Sequence, residues 1–347
     1  MNLKVLIIGH LGYLGSYMSR YLIEKGYSVS GIDLGYFEHG VMHPISDPTK
    51  AQKNAALISK EDLKGFDAVI QLAGISNDPI DKIDPQIFYQ TCIDYTLKIA
   101  SMCRDLGIKF IFPSSCSVYG ESTERIDEES LVSPKTHYSR SKILIEEGLK
   151  KLSGTDFSPI ALRLATVFGF SPRIRFDVVI NMLAGMAIAK QKIILNSNGQ
   201  AWRPHLFIDD ACLAFEKCLQ WDYKEPDLMI LNVGRNDNNW KIIDVARCIS
   251  EEVENIPVTF LSSEVDEGNG LIIDRKINDG VDVRNYQVSF DKIENTLPNF
   301  RCEVSVKDGI IDLLEKLETY KLNEIKFSQR EFYRLQQMEF LSSIGRL

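Results

Sequence analysis

Five short apolar runs alternate with amphipathic segments in the first half of the chain, and this alternation restricts the possible folds most strongly. The apolar runs are 4–9, 28–33, 67–74, 109–115 and 158–165, and the amphipathic segments include 13–26, 85–106 and 138–152. Buried strands joined by helices form a parallel sheet that helices cover on both faces. We therefore predict an α/β fold with a doubly wound parallel sheet.

The composition narrows the class of protein. The formal net charge of −8 argues against a nucleic-acid surface, since such surfaces are basic. The seven cysteines are scattered and form no CxxC pair, so neither a disulfide framework nor a metal site is indicated. No apolar run has the length of a membrane span or the form of a signal peptide. We expect a cytoplasmic protein that binds no metal, nucleic acid or membrane.

A glycine-rich turn follows the first predicted strand. Gly9, Gly12 and Gly15 stand in GHLGYLG, a GxxGxxG spacing that departs from the GxGxxG fingerprint. Glycines at this point let the backbone approach a pyrophosphate at the N-terminus of the next helix. Asp33 ends the second predicted strand, where a carboxylate accepts hydrogen bonds from an adenosine ribose. Because a carboxylate repels a 2′-phosphate, these residues predict NAD rather than NADP.

A tyrosine and a lysine stand at the start of the helix predicted over 138–152. Tyr138 and Lys142 are four positions apart, so they share one face of that helix. A phenol is a poor base at its ordinary pKa of about 10, but a neighbouring ammonium and a positively charged nicotinamide lower this pKa. The pair follows Ser115, and a glycine-rich turn that suits a dinucleotide stands near the start of the sequence. The turn, the serine and the pair together are a more specific signal than any one of them.

In their order along the chain, these motifs resemble those of extended short-chain dehydrogenase/reductases, which are NAD-dependent nucleotide-sugar epimerases, dehydratases and reductases. The similar stretches, within roughly residues 4–315, are GHLGYLG, DAVIQLAG, SSCSVYG, YSRSK, LRLATVFG, RPHLFIDDACLAF, LNVG and DVRNYQVSFDKI. The resemblance implies a Rossmann-like first domain that holds NAD and a second domain that holds a nucleoside-diphosphate sugar. It also implies a homodimer formed through 85–106 and 138–152.

The resemblance assigns roles to individual residues. Ser115 is the serine that orients the sugar hydroxyl, Tyr138 is the acid/base, and Lys142 binds the nicotinamide ribose and lowers the pKa of Tyr138. The implied cofactor contacts are Gly9, Gly12, Leu14, Gly15, Asp33, Leu72, Ala73, Gly74, Tyr138 and Lys142. The implied substrate contacts are Ser76, Ser115, Asn181, Arg203 and Arg284. One departure is Cys92, which stands where the family usually has an asparagine.

The spacing of predicted strands and helices along the sequence predicts how the chain is divided into domains. Residues 1–168 are expected to form the NAD-binding domain, with 207–235 packing back onto it. Residues 169–206 and 236–320 are expected to form a smaller, less regular C-terminal substrate-binding domain. The tail 321–347 has apolar residues near helical spacing, which suits either a helix packed on its own chain or a subunit contact.

The residues that follow Ser115 bear on the type of reaction. By the resemblance, dehydratases carry acidic residues there, because removal of water needs an extra base and acid. Cys116 and Ser117 stand at these positions, and neither is a good acid or base at neutral pH, so dehydration is disfavoured. The GDP-fucose synthase branch uses a cysteine at the position of Ser117 and a later histidine, and 168–177 contains no histidine.

The remaining chemistry is hydride transfer at one sugar carbon, most simply C4, with Tyr138 taking the hydroxyl proton. A nucleotide-sugar epimerase is favoured, and a 4-dehydrogenase or 4-ketoreductase is the main alternative. A 4,6-dehydratase and a non-catalytic NAD-sensing protein are less favoured. The nucleotide base, the sugar and the oligomeric state do not follow from the sequence.

Overall fold

The structure, a computed structural model, describes residues 3–43, 48, 50–74, 85–260 and 284–346. The strands in these ranges are β1 (Lys4–Ile8), β2 (Ser28–Asp33), β3 (Lys50–Gln52), β4 (Ala68–Gln71), β5 (Lys109–Ser115), β6 (Glu121–Ile126), β7 (Ile160–Leu164), β8 (Thr166–Phe168), β9 (Ile193–Leu195), β10 (Trp202–Phe207), β11 (Met229–Val233), β12 (Asn239–Lys241), β13 (Val258–Phe260) and β14 (Asn285–Val288). The helices are α1 (Tyr13–Glu24), α2 (Lys60–Leu63), α3 (Pro85–Leu106), α4 (His137–Leu152), α5 (Val179–Lys190), α6 (Ile208–Gln220), α7 (Ile242–Glu252), α8 (Asp291–Thr296), α9 (Val306–Thr319), α10 (Glu324–Phe327) and α11 (Arg334–Ser343).

Seven strands form one large sheet in the order β11-β7-β5-β4-β1-β2-β3. All neighbouring pairs in this sheet run parallel. The five predicted strands all belong to it, and the predicted doubly wound, Rossmann-like α/β fold is confirmed. The strand order reverses at β1, which lies between β2 and β4. Ligands of such sheets bind at the carboxyl edge where the order reverses.

The large sheet is buried on both faces, as its continuous apolar strands predict. Val5 and Ile7 of β1 pack in a cluster with apolar residues of α1 and α6. Leu6 and Ile8 point to the opposite face and pack in a cluster with residues of α3 and α4. Because side chains alternate along a strand, one short apolar run is covered by two separate helical layers.

The second half of the chain contributes both to the large sheet and to a smaller layer. Helix α6 packs on α1, and β11 pairs with β7, so part of the 207–235 segment returns to the large sheet. Strands β8, β10 and β12 form a separate three-stranded sheet, and β13 and β14 pair with β9 and β6. The boundaries of the two domains stay a prediction.

The C-terminal tail packs against its own chain. The rings of Phe327 and Phe332 make edge-on contacts with the ring of Phe176, at centroid distances of 4.9 and 5.6 Å. The backbone N–H of Phe176 also donates to the carbonyl of Phe332 at 3.0 Å. Of the two interpretations that the sequence allowed for the tail, these contacts agree with the intrachain one.

Two further features concern the expectations that the chain has no disulfide framework and no membrane span. All seven cysteines are free thiols. Within the described ranges, no helix has the length and apolar character needed to cross a membrane.

Candidate active site

A cavity of about 790 Å³ opens at the carboxyl edge of the large sheet. This volume lies in the range of about 300–1,000 Å³ that is common for small-molecule sites. The predicted site residues that line it are Gly9, Gly12, Leu14, Gly15, Asp33, Leu72, Ala73, Gly74, Ser115, Tyr138, Lys142, Arg203 and Arg284. The fold therefore brings residues from both halves of the chain to one cavity.

The glycine turn forms a close-packed cradle at the N-terminus of α1. Gly9 has a φ of 96°, and a Cβ atom there would lie 2.4 Å from the backbone nitrogen of Ala73. A Cβ atom on Gly15 would lie 2.1 Å from the carbonyl oxygen of Gly9. No side chain caps the N-terminus of α1, so its first N–H groups are available to a ligand. The cradle fits the diphosphate of a dinucleotide such as NAD.

Asp33 connects this cradle to the segment that follows β2. Its Oδ2 accepts a hydrogen bond from the backbone N–H of Leu11 at 2.9 Å, and its Oδ1 accepts one from Gly35 at 2.8 Å. A carboxylate oxygen has more than one acceptor site, so both oxygens retain capacity for a ribose diol. This geometry is the one expected of the ribose-binding residue.

A capping box fixes the start of helix α4. The Oγ1 of Thr136 accepts a hydrogen bond from the N–H of Ser139, and the Oγ of Ser139 accepts one from the N–H of Thr136, both at 3.1 Å. Such reciprocal caps define where a helix begins. Tyr138 and Lys142 therefore stand in its first turns and line the same cavity as Ser115, which ends β5.

The ammonium group of Lys142 is held close to Tyr138. Its Nζ donates to the carbonyl of Pro113 at 2.7 Å and lies 5.3 Å from the centroid of the Tyr138 ring. Burial lowers the pKa of Lys142 to about 8, while Cys92 and Glu146 act in the opposite direction. At neutral pH the lysine remains mostly protonated, so a positive charge lies close to the Tyr138 ring.

The pH dependence of stability should reveal this lowered pKa. Between pH 8 and the ordinary lysine pKa of about 10.4, the unfolded chain keeps a proton that the folded protein has released. The free energy of unfolding of the wild type should therefore rise with pH relative to that of Lys142→Met. Urea unfolding of both proteins at several pH values measures this difference. A difference that stays constant above pH 8 would contradict the assignment.

A buried ion pair joins the helix of Tyr138 and Lys142 to the large sheet. The guanidinium of Arg163 on β7 donates to both carboxylate oxygens of Glu146 on α4, at 2.7 and 3.0 Å. Both side chains are about 95% buried, with exposures of 6% and 5%. Ser114 donates to the same carboxylate, and Tyr119 accepts from Arg163 at 2.9 Å. The network joins α4, β5 and β7, so it holds the helix of Tyr138 against the strand of Ser115.

The sequence analysis did not find this network. Arg163 stands within the apolar run 158–165, and Glu146 lies in the helical segment 138–152. A charged residue inside a buried strand is a signal that a partner is present, because unpaired buried charges are costly. The sequence offers no means of choosing that partner.

Cys116 and Ser117 face different environments. Cys116 is 1% exposed and its Sγ donates to the carbonyl of Arg163 at 3.1 Å. Burial raises the pKa of this thiol far above its ordinary value, so it is not a thiolate nucleophile. Ser117 lines the cavity instead, and its buried hydroxyl has no hydrogen-bond partner within the described part of the chain.

The predicted substrate contacts fall into three groups: residues that line the cavity, one residue outside the described ranges, and one residue that is buried away from the cavity. Arg203 on β10 and Arg284 line the cavity, and Arg203 lies 5.6 Å from the ring centroid of Tyr286. Ser76 lies outside the described residues.

Asn181 is not brought to the cavity wall. It is fully buried, its amide donates to the hydroxyl of Tyr13 at 3.3 Å, and its carbonyl oxygen accepts from the N–H of Gly169 at 3.0 Å. These contacts position the start of α1 and do not support a substrate contact.

Other residues that the sequence analysis did not place in the site also line the cavity. They include Cys92 and Tyr95 of α3, Arg175 and Asp177, Tyr36 and Phe37 after β2, and Arg334 and Met338 of α11. The ion pair of Arg175 and Asp177 has an N–O distance of 2.8 Å. The members from α11 come from the C-terminal tail, for which the sequence suggested no role in the site.

The parallel sheet, the glycine cradle and the serine, tyrosine and lysine at one cavity define an extended short-chain dehydrogenase/reductase. The model of the NAD dependent epimerase/dehydratase family matches residues 5–234, and the chain belongs to this family. The protein is therefore an enzyme whose cofactor is NAD, which confirms the resemblance and the cofactor predicted from the sequence.

Three known proteins illustrate the similarity. UDP-glucose 4-epimerase 3 of Oryza sativa subsp. japonica is 28% identical over 200 residues, and the match spans 49% of this chain and 52% of the rice protein. The chain thus aligns with about half the length of that relative. The NAD-dependent NDP-hexosamine 5,6-dehydratase TunA of tunicamycin biosynthesis has a TM-score of 0.77 at 18% identity, covering 92% of this chain and 99% of TunA. UDP-glucuronic acid 4-epimerase of Bacillus cereus, solved with UDP-glucuronic acid and NAD, has a TM-score of 0.75 at 21% identity, covering 91% and 99%.

Proposed function

We propose that this enzyme epimerises a nucleoside-diphosphate sugar at C4 by removing and returning a hydride. The observation that carries the proposal is the shared cavity of Ser115, Tyr138 and Lys142 beside the glycine cradle. The similarity to the rice and Bacillus cereus 4-epimerases supports this choice of reaction.

The proposed mechanism uses few groups of the chain. Tyr138 removes the proton of the C4 hydroxyl, and Ser115 donates a hydrogen bond to the same oxygen. Lys142 keeps the tyrosine anionic through its positive charge. NAD, when bound, supplies the hydride acceptor for the C4 hydrogen. Rotation of the ketone before hydride returns then inverts C4.

Arginine side chains are suited to hold the substrate in this cavity. Arg203 and Arg284 line the wall formed by the second half of the chain, and a planar guanidinium binds phosphate oxygens in pairs. We assign them to the diphosphate of the sugar nucleotide. The hydroxyl of Ser117, buried at the cavity, is a further candidate contact for the sugar.

The similarity to TunA makes a dehydratase the main competitor from another reaction class. A dehydratase needs an acid and a base in addition to the tyrosine. The side chain directly after Ser115 is a core-facing thiol, and the next is a neutral hydroxyl. This geometry supports hydride transfer without elimination. A 4-dehydrogenase or 4-ketoreductase uses the same residues and differs in releasing the oxidised sugar.

Incubation with a panel of UDP-, GDP-, dTDP- and CDP-sugars tests the proposal. We expect a product of unchanged mass with an inverted C4 by NMR, and cofactor released by denaturation should be mostly oxidised. Loss of the mass of two hydrogens would instead indicate a dehydrogenase. Loss of the mass of one water would overturn the exclusion of dehydratases.

We also propose a homodimer that forms through α3 and α4. These helices pack side by side on one face of the sheet, and Leu144 on α4 is 48% exposed. Sedimentation of the wild type should give a dimer, and Leu144→Glu should shift the protein toward the monomer.

The proposed compartment is the cytoplasm, where free thiols are stable.

A further inference from the structure

Helix α11 closes one wall of the cavity. Arg334 and Met338 line the cavity and are only 6% and 2% exposed. Both lie in the C-terminal tail, beyond the 5–234 segment that the family model matches. The tail therefore adds a positively charged side chain to a site whose other cofactor residues come from the first domain.

Two hydrogen bonds hold this wall in place. The backbone N–H of Arg334 donates to Oδ2 of Asp177 at 3.1 Å. The side-chain amide of Gln337 donates to the carbonyl of Tyr36 at 3.0 Å. Tyr36 belongs to the segment that follows Asp33 at the end of β2. Helix α11 is thus attached to the segment that follows Asp33, the predicted ribose contact.

The guanidinium of Arg334 stacks on the ring of Phe37, 3.8 Å from its centroid. Within the described residues, no carboxylate forms an ion pair with it, and the nearby Asp177 is paired with Arg175 at 2.8 Å. A stacked guanidinium keeps its in-plane N–H donors free to bind a planar or tetrahedral anion. The side chain of Arg334 is therefore a fixed, positively charged part of the cavity wall.

The electrostatic surroundings of Arg334 favour an anion. The pKa of Arg334 is lowered to about 9, mainly by burial and also by Arg175 and Arg173, whereas Asp177 and Asp33 act in the opposite direction. Arg334 and Arg175 both line the cavity, so an anion bound at this wall would lie close to guanidinium groups. A bound phosphate group would raise the pKa of Arg334 again.

We propose that Arg334 binds the diphosphate of NAD, so that the C-terminal tail clamps the cofactor onto the glycine cradle. A diphosphate is also present in a sugar nucleotide, but Phe37 follows the ribose-binding Asp33, whereas Arg203 and Arg284 lie on elements of the second half. The position of Arg334 on Phe37 therefore favours the diphosphate of NAD over that of the sugar nucleotide. The inference depends on the NAD dependence of the family and not on which sugar carbon reacts.

Calorimetric titration of NAD tests the clamp. After removal of copurified nucleotide, Arg334→Met should bind NAD about 10- to 100-fold more weakly than the wild type, the range for loss of charge-assisted hydrogen bonds. Arg334→Lys should lie between the two proteins, because it keeps the charge but not the planar fork. Arg330→Met is the matched control: Arg330 is in the same tail, stacks on Phe340 at 3.5 Å and does not line the cavity. It should bind NAD as the wild type does.

Titration of UDP separates the two sources of diphosphate. Arg334→Met should bind UDP as the wild type does, whereas Arg203→Met should bind it more weakly. The proposal is overturned by NAD affinity within twofold of the wild type, by an equal loss in Arg330→Met, or by a loss of UDP affinity as large as that for NAD. If Arg334→Met does not fold, wild-type NAD affinity in Arg334→Lys would be equally decisive against it.

Discussion

Tyr138→Phe should lower kcat by about a thousandfold or more for any sugar nucleotide that the wild type converts. General acid–base catalysis contributes about 10²- to 10⁴-fold, and the substitution removes the only oxygen that distinguishes the two side chains. The ring itself stays, so its packing beside Lys142 at 5.3 Å is retained. We therefore expect NAD affinity to change by less than about threefold, because the cradle and Asp33 are untouched.

The measurement is steady-state turnover of a substrate identified in the panel, combined with NAD titration. Tyr21→Phe is a matched control, since the hydroxyl of Tyr21 donates to Glu216 at 2.7 Å and Tyr21 does not line the cavity. Its kcat should equal that of the wild type. Wild-type turnover by Tyr138→Phe would reject the assignment of the acid/base and, with it, the proposed mechanism.

Arg163→Met should lower the free energy of unfolding by about 3–5 kcal/mol, the cost of breaking a buried ion pair. The substitution leaves the Glu146 carboxylate buried, with Ser114 as its remaining hydrogen-bond donor among the residues that the structure describes. It also removes one hydrogen bond from Tyr119. Because Lys142 is one helical turn before Glu146, loosening of α4 should reduce catalysis as well.

Urea unfolding measures this cost, and two further variants interpret it. Arg163→Met combined with Glu146→Leu should regain most of the lost stability, because no buried charge then remains unpaired. Arg20→Met breaks the exposed pair of Arg20 and Glu24 and should change stability by less than about 1 kcal/mol. Equal losses in Arg163→Met and Arg20→Met would show that the buried pair has no special role.

Much of the fold was predictable because its signals are local. The apolar run at 4–9 must be buried on both faces, and the glycines after it permit a turn that other residues cannot adopt. A Cβ atom on Gly15 would collide with the carbonyl of Gly9, which is a constraint between neighbours in the sequence. The spacing of Tyr138 and Lys142 likewise needs only the helical repeat.

Contacts between distant segments were not predictable in the same way. Asn181 has the residue type of a substrate contact, yet its amide is taken up by Tyr13 and Gly169. Cys116 is chemically the strongest nucleophile in SSCSVYG, but its side chain points into the core, where its thiol contacts β7. Such outcomes depend on which atoms meet in three dimensions, and residue type alone does not specify that.

The sequence by itself determined the parallel sheet, the glycine turn and the common helix face of Tyr138 and Lys142, since each depends on a short-range repeat or a local backbone constraint. Its resemblance to a family predicted the role of Ser115. Only the tertiary structure decided that Glu146 pairs with Arg163, and that Arg334 of the tail reaches the cavity of Ser115, Tyr138 and Lys142. Partners so far apart along the chain meet because the packed sheet and helices bring them together, and no local pattern encodes that meeting.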